Sequence, residues 1–176
     1  VAGQDAVTLG RTEAGGHLTV VATQGNITQL AGTRILADGN NARTSLSAGG
    51  DITLTETQND FRILEILDAT NTTLVETDVV PLDNSSIRGT ATLTAGDAVD
   101  TLANAAFVAG QDVVVTLQDG DLTFGGDSRI QAGRDARVTL QGGGASAGTS
   151  GSLLAGRDVN LTALGSVHLG GVVTIQ

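Results

Sequence analysis

The sequence contains no cysteine, tryptophan, tyrosine, methionine or lysine, a single proline and only 3 aromatic residues, all phenylalanine. A globular core built on large side chains is therefore not expected, and the apolar mass must come from Val, Leu, Ile and Ala. Missing cysteine leaves no disulfide framework but does not fix the compartment, since a secreted chain with a large core needs none. Every one of the 9 basic residues is Arg, against 19 acidic residues, for a net charge of -10 with no basic run. That balance disfavours a nucleic-acid partner, which requires a positive face for phosphates. No window approaches the roughly 20 apolar residues of a membrane helix, and no signal peptide is recognisable. The chain opens at Val1 inside a motif that recurs later and stops at Gln176 inside an apparent strand, so both ends are expected to be cuts in a longer polypeptide.

What is present is 40 % apolar residues, enough to fold, together with 25 Gly and many Thr, Asn and Asp. Short β-branched strands separated by glycine turns are the expected all-β outcome. A repeat organises them. Ala2-Gly3-Gln4-Asp5, Ala48-Gly49-Gly50-Asp51, Ala109-Gly110-Gln111-Asp112, Ala132-Gly133-Arg134-Asp135 and Ala155-Gly156-Arg157-Asp158 are copies of A-G-x-D. The last three are 23 residues apart and the first two 46 apart, with a degenerate copy at Gly25-Asn26-Ile27 between them. A half-step recurs at Ala14-Gly15-Gly16-His17 and Ala37-Asp38-Gly39-Asn40.

After each motif apolar residues alternate, as in Val113, Val115 and Leu117, Val138 and Leu140, or Val159 and Leu161. Period two over a few residues marks a strand with one buried face. Strands this short, with no helix between them, bury that face only by stacking coil on coil in parallel. The predicted fold is an all-β, right-handed parallel β-helix with coils of about 23 residues, forming a rod roughly 30 Å long. Turn chemistry suffices to explain the motif: glycine is expected to supply the positive φ of a corner, Ala fits inward there, and Asp can bond its own turn amides. Stacking sets Asp112, Asp135 and Asp158 in a self-repelling ladder that Arg134 and Arg157 are placed to offset.

The period disappears from Glu56 to Arg88. The runs Phe61 to Leu67 and Leu74 to Val80 flank a polar stretch, Asp68 to Thr73, and read as an inserted hairpin projecting from the wall, or else an irregular coil across 56–88. Seven acids lie there. Phe61, Arg62, Glu65, Ile66, Asp68, Asn71, Glu76 and Asp78 are the candidate binding residues, because elements projecting from a rigid solenoid are where contacts are made. The run around Ile66 is too apolar to be wholly exposed, so part of it must pack on the wall or on a partner. A second irregularity, 142–151, reads as a Gly/Ser-rich corner loop.

The G-x-S-x-G, H-E-x-x-H and phosphate-loop patterns and the repeated calcium motif G-G-x-G-x-D do not occur. Polysaccharide-cleaving β-helices need convergent acids and groups that hold sugar, whereas the repeated Asp sit at turns and Tyr and Trp are absent. Neither catalytic residues nor a metal or cofactor is expected. His17 and His168 stand alone and are read as exposed strand positions. Thr53 with Thr55, and Thr92 with Thr94, resemble the T-x-T pairs of ice-binding solenoids, but consecutive coils do not preserve them.

Ala48-Gly49-Gly50-Asp51-Ile52-Thr53-Leu54-Thr55 and Ala155-Gly156-Arg157-Asp158-Val159-Asn160-Leu161-Thr162-Ala163 resemble the repeats of filamentous haemagglutinin and related two-partner secretion exoproteins, including contact-dependent inhibition stalks. The resemblance covers roughly residues 1–55 and 89–176. It implies a secreted or cell-surface shaft from a Gram-negative bacterium, presenting adhesive or toxic parts to a host-cell or bacterial receptor or glycan. Two other readings are a carbohydrate-binding or carbohydrate-cleaving β-helix and a self-assembling fibre whose coil ends pair end to end.

Overall fold

A computed structural model of the chain describes residues 1–148, 150–169 and 172–175. Among the described residues there is no helix, and every strand pairing is parallel, which is what stacked coils of short alternating strands require. Four sheets form the walls, of 9, 8, 5 and 2 strands, here called A, B, D and C. The β-helix has about seven turns. Sheet A begins at Ala2–Gly3 and runs through Arg43–Ala48 and Ile63–Asp68 to Val167–Leu169. Sheet B runs from Val7–Leu9 through Ile52–Leu54, Thr72–Glu76 and Val113–Leu117 to Asp158–Ala163.

Inward residues of all the walls meet in one core. Val113, Val115, Val138 and Leu140 are buried, while Val159 and Leu161, on the last strand of sheet B, are partly buried against the same core. Val115, Val138 and Leu161 stand side by side, as the 23-residue spacing requires. The motif alanines Ala109, Ala132 and Ala155 form a column in the same way.

The motif glycine has a different cause from the one expected. Gly110, Gly133 and Gly156 do not have positive φ; among the described glycines only Gly32 and Gly39 do. A Cβ on Gly133 would instead lie 2.1 Å from the carbonyl oxygen of Gly110, and one on Gly156 would lie 2.3 Å from that of Gly133. Backbones of successive coils cross too closely there for any side chain. The motif Asp also departs from expectation, since it bonds the next coil rather than its own turn: Asp112 Oδ1 accepts the Asp135 N–H at 3.2 Å.

The segment 56–88 is not a hairpin. Ile63–Asp68 and Thr72–Glu76 belong to different sheets, the first between Arg43–Ala48 and Val80–Leu82, the second between Ile52–Leu54 and Ala91–Ala95. The alternative reading, an irregular coil, describes it. The period fails because the third wall moves. In the first coils sheet C (Thr12–Ala14, Ile35–Ala37) follows sheet B, and its line ends at the single bridge between Leu36 and Asp60. From Ser85–Ile87 onward the third wall is sheet D, lying between A and B in chain order. The long strand Ile63–Asp68 faces this split: Leu64 pairs with Leu82 of sheet A, whereas the Ile66 N–H donates to Ser85 Oγ at 3.0 Å and Ala69 bridges Ile87 of sheet D. Coils are shorter at the changeover, with Ile52, Thr72 and Ala91 in register only 20 and 19 residues apart.

The run 142–151 is likewise not one wide loop. Ala145–Ala147 forms a strand of sheet A between Leu122–Phe124 and Val167–Leu169, with Ser146 at its centre, and the glycines flank it on either side; Thr149 lies outside the described residues.

Candidate functional site

The eight residues singled out from the sequence do not share a surface. Phe61 and Ile66 are fully buried and Glu76 is 2 % exposed, because each lies on the inward side of a wall. They are core residues and are withdrawn as direct contacts. Glu65 is half-buried beside Arg43, 3.4 Å away, and accepts the Ser45 hydroxyl at 2.8 Å. Asp68 faces Arg88 at 3.4 Å. Asn71 belongs to a ladder of turns: it donates to Asp51 Oδ1 from its backbone and side-chain nitrogens, both at 3.0 Å, and accepts the Thr90 N–H at 2.9 Å. Of the eight, Arg62, Asn71 and Asp78 are exposed, and Asp68 is half-buried. Arg62, with φ 55°, borders an open cleft of about 420 Å³ where sheet C gives out, with Asp38, Asn41, Pro81 and Leu102 on its other sides.

The most unusual chemistry is a buried polar junction at the same changeover. Gln29 and Asn59 bond each other through both amides, at 2.7 and 3.0 Å, and Asn59 Oδ1 also accepts the Ile35 N–H at 3.0 Å. Phe61 donates its N–H to Glu76 Oε2 at 2.9 Å, while its carbonyl accepts the Thr44 hydroxyl at 2.8 Å. These side chains occupy the donors and acceptors left when sheet C stops, which explains why polar residues sit in the core there. Glu76 Oε1 has no partner among the described residues. Burial pushes the Glu76 carboxyl up to about 8; the Phe61 N–H opposes the shift and the nearby charge of Asp60 adds to it. The group is therefore mostly neutral at pH 7. A proton-transfer role needs access to substrate, and Glu76 is sealed from solvent. The sequence signal was the placement of Glu76 at an inward position of an alternating strand, Thr72–Glu76, which was masked by reading that strand as part of a hairpin.

Elsewhere the charges are paired across coils. Arg157 reaches Asp135 of the preceding coil and holds that carboxyl below the usual carboxylate range. Arg34 and Arg11 both hold Glu13, with the same effect on its carboxyl. His17 and His168 are exposed, His17 accepting the Arg43 N–H at 3.1 Å. Among the described residues no group of three His, Cys, Asp or Glu side chains is placed to hold a metal ion, and no helix is long and apolar enough to cross a membrane.

A family model described as repeats of unknown function (DUF5649) matches residues 1–65. The match ends within the changeover, so it covers the coils that use sheet C and not those that use sheet D. No curated protein and no solved structure matches the chain.

Proposed function

We propose that this chain is a shaft segment of a secreted or cell-surface bacterial adhesin or exoprotein, a rod that carries binding elements away from a Gram-negative cell. The observation that carries the reading is a single core running through all the coils, each coil tied to the next by backbone ladders and by the motif Asp. A rod of that kind transmits position rather than chemistry, and its stability grows with each added coil. The resemblance of the A-G-x-D repeats to those of filamentous haemagglutinin supplies the secreted setting. In this reading the chain is not an enzyme; the one carboxyl with a raised pKa among the described residues sits inside the core. A receptor or glycan would be met by exposed residues of the changeover, Arg62, Asn71 and Asp78, rather than by Phe61 or Ile66. The test is an antibody against this chain applied to bacteria producing the natural protein. Labelling of intact cells or of secreted material is expected; labelling only after permeabilisation would overturn the proposal.

A further inference from the structure

The outward side of sheet B holds a pattern that the linear repeat conceals. Thr8, Thr28, Thr53, Thr73 and Thr92 pair in five successive coils. The spacings of 20, 25, 20 and 19 residues obey no single period, so the column exists only in the folded register. A second column, two residues further along each strand, carries Val75, Thr94, Thr116, Thr139 and Thr162. Thr55, directly after Ile52–Leu54, is exposed beside them. The T-x-T pairs themselves are not kept in consecutive coils, as expected, since Val75 stands two residues after Thr73 between the pairs Thr53–Thr55 and Thr92–Thr94; what recurs is the single first column.

The two columns carry almost no charge, Asp51 standing at their turn edge two residues before Thr53. The chain has 19 acidic and 9 basic residues, yet the first column bears none until Arg137, which follows Val114. Thr8 and Thr28 share a hydroxyl–hydroxyl bond of 3.1 Å, whereas Thr53, Thr73 and Thr92 have no hydroxyl partner among the described residues. Ladder bonding between threonines therefore accounts for only one step of the column.

We propose that the threonine face of sheet B binds ice, its ligand being the regular oxygen lattice of solid water. Neighbouring strands place the five hydroxyls of the first column in a row about 4.8 Å apart, a spacing on the scale of the repeats in hexagonal ice, and Thr55 and Thr94 add a second hydroxyl about 6.6 Å along their strands. β-branching holds each threonine in few rotamers, so little side-chain freedom is lost on meeting a lattice. The methyl groups order the water between hydroxyls, and no charged side chain interrupts the row of five threonines. Each hydroxyl only exchanges one water bond for another, so binding requires many in register, which five coils provide. Other occupants fit less well. A glycan surface would call for aromatic platforms, and Tyr and Trp are absent; a polyanion would call for cations, and the first five coils of the face have none. This inference does not depend on the shaft reading.

The test uses the whole 176-residue chain and measures ice-crystal shaping, thermal hysteresis and inhibition of recrystallisation. The unmodified chain is expected to be active in all three. The pair Thr53→Arg and Thr73→Arg should lose activity at least tenfold, with circular dichroism and Tm unchanged, since Arg137 shows that this column accepts arginine. Thr53→Asn with Thr73→Asn, a milder pair suggested by Asn160 in the same column, should show the same loss. Thr123→Arg, on the exposed side of sheet A, should retain activity. An inactive unmodified chain would overturn the proposal. So would folded Arg or Asn pairs with full activity, or adsorption to microcrystalline cellulose without any effect on ice.

Discussion

Arg134 forks onto Asp112 of the preceding coil, Nε donating to Oδ1 at 3.1 Å and NH2 to Oδ2 at 2.9 Å. The same Oδ1 accepts the backbone N–H of Asp135, so one carboxylate ties both the side chain and the main chain of the next coil. Asn26 and Asn71 perform the main-chain half of this task elsewhere on sheet B, accepting the N–H of Asp51 at 2.8 Å and of Thr90 at 2.9 Å. Neither amide carries a charge, which shows that the position selects for an acceptor first and an anion second.

The relative cost of substitutions at this ladder follows. Asp112→Ala should destabilise the chain by about 1 kcal/mol, because the Asp135 N–H loses its acceptor. Asp112→Asn should recover most of that, as Asn71 does naturally. Arg134→Ala should cost less than Asp112→Ala, since the pair is partly open to solvent and screened. Urea titrations at low and high salt separate the terms. An Asn variant as unstable as the Ala variant would show that charge, not hydrogen bonding, holds the ladder.

Adjacent residues at the changeover should behave oppositely. Ile66 is fully buried and Leu67 is 53 % exposed. Ile66→Asp sets a carboxylate in an apolar core and should cost roughly 4 kcal/mol or more, or prevent folding. Leu67→Asp should leave Tm nearly unchanged and reduce any self-association seen by sedimentation. Equal effects from the two would contradict the register of Ile63–Asp68.

The parts of this architecture legible in the sequence were those where the coil length stays constant. Val115, Val138 and Leu161 were placed by spacing alone because three coils in a row use the same walls. Between Glu56 and Arg88 the alternation of Phe61, Leu64, Ile66 and Leu74 was present but its partners were not identifiable, since parallel pairing is set by residues about 20 positions away. Two apolar runs around a polar stretch then read as a local hairpin. The glycine of A-G-x-D was found correctly and explained wrongly, because close approach between coils leaves no trace in one coil's sequence. The threonine column is hidden for a different reason, its spacings of 20, 25, 20 and 19 residues following no single period.

Deletions test the moving wall. Removing 113–135 takes out one 23-residue coil and joins Asp112 to Ala136, so that Ala136 can occupy the place of Val113 beside Ala91. That variant should fold, with a lower Tm from the shorter stack. Removing 59–85 joins coils whose third walls lie on different sides, and it discards Asn59, Phe61 and Glu76 of the junction. It should lose cooperative unfolding or aggregate. Retention of near-parental stability by the second deletion would restore the view of 56–88 as an independent insertion.

The buried carboxyl of Glu76 makes the last prediction, one of pH. Its folded pKa is raised to about 8, chiefly by burial, from a usual value of 4.5. Between those values the folded state holds a proton that the unfolded state has released, so stability falls as pH rises. The contribution is complete below the unfolded pKa and lost once pH passes the folded one. Glu13 and Asp135 have lowered carboxyl pKa values and act oppositely, their contributions fading only on the acid side. The alkaline slope therefore isolates Glu76. Chemical denaturation at pH 5 and at pH 8.5 should show the chain weaker at the higher pH by up to a few kcal/mol. Glu76→Gln leaves a carbonyl oxygen for the Phe61 N–H and has nothing to ionise, so its stability should be nearly flat over that interval. At pH 8.5 it should exceed the parent. A slope that survives in Glu76→Gln would assign the effect to another group and remove the junction carboxyl from the account.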